Sequence, residues 1–203
     1  MIVRPRSAEH YALENAGFEP VAQLGSGKTA SAILGRIGML QRVFRIVKGP
    51  PFDVDLEEYF TTLRRRYMRS HALAKAALRT RVPRAVDTYI VRNKRGGAIA
   101  IATMMEYVRG LSLQDQMKKK SLTAAQLHDL AKLFRLLWSN RLSHGDAIPA
   151  NILYDSTRKH YVFIDVDHVK QHASSAAAKR ADLPMMQAGL GKVADVIENA
   201  VQF

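Results

Sequence analysis

Two aspartates and an asparagine, Asp146, Asn151 and Asp165, have the types and spacing to do chemistry. The polar loop His144-Gly145-Asp146 is followed five residues later by Asn151, which leads into the apolar run Ile152-Leu153-Tyr154. A second run, Tyr161-Val162-Phe163-Ile164, delivers Asp165 at its end, and the short polar stretch from Asp155 to His160 between them reads as a hairpin connection. Two carboxylates and an amide converging beside a two-stranded element can bind Mg²⁺ and position a hydroxyl, which is phosphoryl-transfer chemistry. In that reading Asp146 orients or accepts the proton of an attacking hydroxyl, Asn151 and Asp165 hold Mg²⁺, and His144 is a buried support for the loop. Asp167 either assists the metal or satisfies backbone groups after the strand. His10, His71, His128, His160 and His172 are scattered without a shared metal-ligand spacing.

The elements that must position these groups alternate in type along the chain. A short helix is expected around Ala8 to Ala16, then strands over 18–24, 31–37 and 42–48, with glycines in the first turn, Gly25-Ser26-Gly27. Gly49-Pro50-Pro51 stops the third strand just after Lys48. A long helix is expected over 54–78, with Leu56, Tyr59, Phe60, Leu63 and Tyr67 as its apolar stripe. Two more strands, 85–92 and 98–104, flank the turn at 93–97. Beyond a connector at 105–110 the pattern turns helical, with Thr123-Ala124-Ala125-Gln126 as a capping box and a last helical region that begins near Ser175, is interrupted or restarted at Pro184 and continues from Gly191. The expected organisation is a β-rich unit over 1–105, a hinge at 106–110 and a helical catalytic unit over 111–203, with the polar constellation in a cleft.

Gly27-Lys28-Thr29 has the look of a P-loop, but that pattern needs glycine where Ala22 stands and should open a helix. The other reading is a glycine hairpin lying over phosphates, with Ala30 in the third glycine position. Lys48, about twenty residues on, would then pair with the α- and β-phosphates, oriented by Glu57 or Glu58.

Composition narrows the setting. The chain has 203 residues, enough for one good-sized domain or two small ones, and no cysteine, which excludes disulfides, thiolate catalysis and Cys-ligated zinc. Its first residues lack a signal peptide's apolar core and no apolar run approaches a membrane span, so a cytoplasmic protein is expected. A net charge of +13 implies an anionic partner: nucleic acid, a membrane face or a polyanionic substrate. Few aromatics interleave with the basic residues, which disfavours nucleic acid.

Taken together, Gly25-x-Gly27, Lys48, the helix bearing Glu57 and Glu58, Met105-Glu106-Tyr107, His144-Gly145-Asp146 to Asn151 and Ile164-Asp165-Val166-Asp167 resemble the protein-kinase-like superfamily. The chain is most similar there to the small lipopolysaccharide core kinases acting on Kdo or heptose, with Asp167 where a protein kinase has the glycine of Asp-Phe-Gly. The resemblance implies an α+β, two-lobed kinase-like fold, with a small antiparallel β-lobe and a compact helical lobe without a long activation segment. It also implies ATP and Mg²⁺ as cofactors, nucleotide contacts from Gly25, Ser26, Gly27, Lys48, Glu57 or Glu58, Glu106 and Val108, and Asp182 as an anchor of the catalytic-loop backbone. The implied reaction moves the γ-phosphoryl group to a sugar hydroxyl of an anionic glycolipid, possible at the inner face of the inner membrane. A protein or RNA-associated acceptor and a nucleotide-binding pseudokinase are the alternatives.

Overall fold

The computed structural model describes residues 8–26, 30–50 and 53–201. Contacts divide the chain into two units, Met1–Met68 with Arg84–Tyr107, and Arg69–Pro83 with Val108–Phe203.

The first unit is built on an antiparallel sheet of β1 (Glu19–Ser26), β2 (Ala30–Ile37), β3 (Leu40–Lys48), β4 (Ala85–Arg92) and β5 (Ala98–Glu106), in the order β1-β2-β3-β5-β4. Its strands are rich in β-branched and aromatic residues whose side chains alternate between two faces. On one face Phe44, Ile46, Ala100 and Ala102 pack with Phe18 and with Ala12 and Leu13 of helix α1 (Ala8–Asn15). The Tyr89 hydroxyl donates to the Ala12 carbonyl at 2.9 Å and ties α1 down. On the other face Val47, Ala98 and Ile101 pack with Phe60, Leu63 and Tyr67, the apolar stripe of helix α2 (Leu56–Leu78). Asp55 starts α2 by accepting the N–H groups of Glu57 and Glu58 at 2.9 and 3.2 Å. Arg64 Nε donates to the Thr88 carbonyl at 2.6 Å, fixing the helix along β4.

The helix from Arg69 onward belongs to the second unit, where Ala74 and Leu78 enter a core with Leu130, Phe134, Leu137, Trp138, Tyr161 and Phe163. Its helices are α3 (Leu113–Lys118), α4 (Ala124–Ser139), α5 (Ser175–Leu190) and α6 (Lys192–Ala200). Thr123 and Gln126 form the expected reciprocal capping box at the start of α4. Arg81 makes a bidentate pair with Asp129, both bonds 2.8 Å, and Asp129 also accepts the Tyr161 N–H at 2.7 Å.

Three features depart from the sequence reading. The connector at 105–110 is shorter than expected: β5 runs to Glu106, and β6 (Gly110–Ser112) pairs with β8 (Ile152–Asp155), which in turn pairs with β9 (His160–Phe163). A Cβ at Gly110 would lie 1.8 Å from the Tyr154 carbonyl oxygen, so only glycine lets β6 approach. Two-residue strands β7 (Leu142–Ser143) and β10 (Lys170–Gln171) also pair, a contact too short to leave a periodic signal. Finally, α5 passes through Pro184 unbroken, because Ala178, Asp182, Met186 and Leu190 bury one side of it. Proline removes one helical N–H but tertiary packing holds the rest. The break falls at Gly191, from which the last helical stretch is expected to continue, and whose φ of 50° is left-handed.

Replacing Gly110 by alanine forces β6 away from β8 and is expected to cost about 1–3 kcal/mol. An unchanged urea midpoint for Gly110→Ala would contradict this account of the strand.

Candidate active site

The loop that follows β7 is held by one buried carboxylate. Asp182, 1% exposed on α5, accepts the backbone N–H of His144 at 3.0 Å, that of Gly145 at 3.0 Å and the indole N–H of Trp138 at 3.0 Å. Burying a carboxylate is costly unless it is hydrogen-bonded, and here three donors satisfy it. Gly145 has φ 77°, and a Cβ there would come within 2.5 Å of the His168 carbonyl oxygen, so both conformation and space require glycine.

His144 is fully buried, with its ring 4.7 Å from that of Phe163. Its Nε2 faces the Ile164 carbonyl at 3.1 Å and its Nδ1 accepts the Asp146 N–H at 3.3 Å, which fits a neutral imidazole with the proton on Nε2. Burial pushes its pKa below the ordinary 6.5, outweighing the Asp182 charge, the Ile164 hydrogen bond and the Asp146 charge, which pull upward.

Asn151 ends a 3₁₀ turn, Pro149–Asn151, and its Nδ2 donates to the Asp146 carbonyl at 3.0 Å and to Asp146 Oδ2 at 2.7 Å. This fixes the amide with its oxygen turned away from Asp146. The Asn151 carbonyl accepts the Ile164 N–H at 2.8 Å, which couples the loop to the residue before Asp165. Asp165 has left-handed φ and ψ of 56° and 51°, an uncommon conformation for a residue with a side chain, and its Oδ1 is buried. The structure thus brings Asp146 and Asn151 into contact and links Asp165 to them through one backbone pair. The Asn151 amide oxygen and the Asp165 carboxylate are hard oxygen donors of the kind Mg²⁺ takes. Among the described residues no group of three His, Cys, Asp or Glu could hold a metal.

The turn after Asp165 is clamped from α2. His71 Nε2 meets Asp167 Oδ1 at 2.9 Å, with Asp167 1% exposed, and the Ser70 hydroxyl donates to the Val169 carbonyl at 3.2 Å. The sequence alone leaves the role of Asp167 open and shows His71 only as one of several scattered histidines, without its partner. One signal could have found it: His71 falls on the α2 stripe beside Tyr67 and Ala74, where a polar residue needs a buried partner.

In the first unit, Gly25 pairs with Ala32 and Ser26 with Ser31, and nothing lies within 4 Å of a Cβ added at Gly25. Gly27, with Lys28 and Thr29, lies outside the described residues. Glu57 is drawn to Arg92 on β4, with its Oε2 accepting at 2.7 Å, and the Arg92 hydrogen bond holds its carboxyl below the usual carboxylate range. Glu58 borders a cavity of about 470 Å³ with Asp55, Tyr59, Leu63 and Arg66. Lys48 stands opposite Ala100 at the end of β3, on the face covered by α1. Glu106 exchanges with Arg84, its N–H donating to the Arg84 carbonyl at 2.9 Å and its carboxylate accepting the Arg84 N–H at 3.3 Å. Val108 is buried and belongs to the second unit.

Asp182→Ala leaves three buried N–H groups without their acceptor, at roughly 1–3 kcal/mol each. Urea unfolding should show a loss of at least about 3 kcal/mol, and a loss under about 1 kcal/mol would contradict the anchor. For His144 the unfolded chain takes up a proton first, so the native state loses stability as pH falls below 6.5 and is unaffected above it. Thermal melts at pH 7.5 and 5.5 should show a smaller acid loss for His144→Gln than for the wild type.

A family model described as Lipopolysaccharide kinase (Kdo/WaaP) family matches residues 59–202, more than two thirds of the chain. The match takes in the whole loop from His144 to Asp182 and begins after Gly25, Lys48, Glu57 and Glu58. Among curated proteins no match is found.

Proposed function

The chain belongs to the lipopolysaccharide kinase (Kdo/WaaP) family, within the protein-kinase-like superfamily, and from that premise we propose that it moves the γ-phosphoryl group of ATP to a sugar hydroxyl of lipopolysaccharide core or a similar glycolipid. The proposal includes the finer architecture, a two-lobed kinase fold whose β-unit takes the nucleotide and whose helical unit carries the catalytic loop. The observation that carries it is the contact between Asp146 and Asn151 on a loop whose backbone Asp182 holds.

Phosphoryl transfer asks the protein for positioning and charge stabilisation more than for covalent chemistry. Asp146 is the group that orients the acceptor hydroxyl and takes its proton. Asn151 keeps that carboxylate in place through Nδ2 while presenting its amide oxygen on the other side. Mg²⁺, when bound, neutralises charge on the phosphates, and Asn151 and Asp165 are the residues that would hold it. The buried neutral His144 supports the loop and does not compete with Asp146 as base. In the first unit the glycine turn and a cation of β3 are assigned to the phosphates, and Glu106 and Val108 to the adenine side. Only residues 172–174 separate β10 from α5, which leaves no extended segment on which to lay a peptide and favours a compact glycan acceptor. Among the described residues no helix is long and apolar enough to cross a membrane, so we assign the meeting with a glycolipid to peripheral contact, aided by the net charge of +13.

The test is transfer of label from γ-labelled ATP with Mg²⁺, offered purified core lipopolysaccharide, a protein mixture and RNA in parallel. Label is expected in the glycolipid, falling by about 100-fold or more in Asp146→Ala, and likewise in Asp165→Ala. Label in protein alone would keep the kinase and reject the acceptor, and tight ATP binding without transfer would point to a pseudokinase.

A further inference from the structure

A cation on β3 that serves a nucleotide must share a face with the helix after that strand, since in kinases the β3 cation and that helix act together on the phosphates. The register of the sheet decides which cation does so. Directly opposed residues in an antiparallel pair point to the same face. Lys48 opposes Ala100, and Phe44, Ile46, Ala100 and Ala102 all lie in the cluster closed by α1. Phe44, Ile46 and Ala12 are each 0% exposed, so that face is filled as far as Ile46, and Lys48 emerges at its exposed end, away from α2. Val43, Arg45 and Val47 oppose Met105, Thr103 and Ile101, and Val47 and Ile101 pack on the α2 stripe. Arg45 is therefore the basic residue of β3's last four that shares the face of α2.

Its surroundings suit an anion. The Arg45 guanidinium carbon lies 5.7 Å from the centroid of the Tyr67 ring, and that of Arg66 lies 5.6 Å from the same centroid. Each is attracted to the ring, but two like charges gathered on one aromatic repel one another. Guanidinium groups match phosphate oxygens bidentately, so a polyphosphate reaching both would meet two planar forks held on one ring. Arg66 also lines the cavity of about 470 Å³ beside α2, together with Leu63 of the packed stripe and the carboxylates of Asp55 and Glu58, so the phosphates are assigned to the Tyr67 side of Arg66 and not to that cavity.

We propose that Arg45, supported by Arg66, rather than Lys48, is the cation that binds the nucleotide's phosphates in the first unit. This rests on the ATP-dependent reading above and specifies one of its contacts. It also places the phosphate-binding cation three residues earlier in β3 than the sequence suggests, and changes its chemistry from a point charge to a planar fork.

The experiment is calorimetric titration of the full chain and of Arg45→Gln, Arg45→Lys and Lys48→Gln with a non-hydrolysable ATP analogue plus Mg²⁺, and separately with adenosine. Arg45→Gln should weaken the triphosphate by about tenfold or more while leaving adenosine within about twofold, a split that a merely structural role would not produce. Arg45→Lys should recover part of the loss, and it replaces the glutamine variant if that one fails to fold. Lys48→Gln should bind the triphosphate within about twofold of the wild type. Weakening by Lys48→Gln with Arg45→Gln unaffected, or no effect of either while the wild type binds, overturns the assignment and leaves the kinase reading standing. A wild-type chain that binds no nucleotide overturns both.

Discussion

The buried carboxylate of Asp182 is the constraint on which the loop from His144 to Asn151 depends. A loop has no ladder of its own, so the N–H groups of His144 and Gly145 must find acceptors or leave the fold at a cost. Asp182 supplies both acceptors from the middle of α5, and the Trp138 indole fills out its shell. From that fixed point the order propagates by short links. His144 presents Nδ1 to the Asp146 N–H, Asp146 receives the Asn151 amide, and the Asn151 carbonyl receives the Ile164 N–H just before Asp165. The backbone of the loop is thus held at each step, and the Asn151 amide fixes the Asp146 carboxylate directly.

The same loop is bounded on its far side by the turn at 166–168. Gly145 lies so close to His168 that a methyl group would not fit, and β7 pairs with β10 immediately beyond. α2 closes the arrangement through His71 and Ser70. That ordering holds Asp165 in a left-handed conformation that an isolated aspartate would seldom adopt. Strain kept in place by surrounding contacts is common where a group must be aimed before its ligand arrives. The family match covers this whole apparatus, which is why membership bears most directly on the second unit and least on the glycine turn.

Much of this was legible in the sequence because its signals are local. The interval from Asp146 to Asn151, the β-formers that deliver Asp165 and the capping box at Thr123 all lie within a few residues of what they predict. The long α2 could be read from its stripe. What escaped depended on contacts between distant segments. β6 is a strand because β8 needs a neighbour and Gly110 permits one. His71 finds Asp167 across 96 residues. Pro184 stays within a helix because the packed side of α5 outweighs one lost hydrogen bond. The face of the sheet to which Lys48 belongs is set by its pairing with Ala100, and a strand's own sequence cannot say which of its faces meets α2.

The most direct test of the account is the crystal structure of the chain with a non-hydrolysable ATP analogue and Mn²⁺ in place of Mg²⁺, read by anomalous scattering. The account predicts a metal peak in contact with the Asn151 amide oxygen and the Asp165 carboxylate, at roughly 2.1–2.2 Å as hard divalent cations bind oxygen, with a phosphate oxygen completing the site. Nucleotide bound with the metal elsewhere, or with Asn151 turned away from Asp146, would contradict the claim that this loop is the catalytic centre.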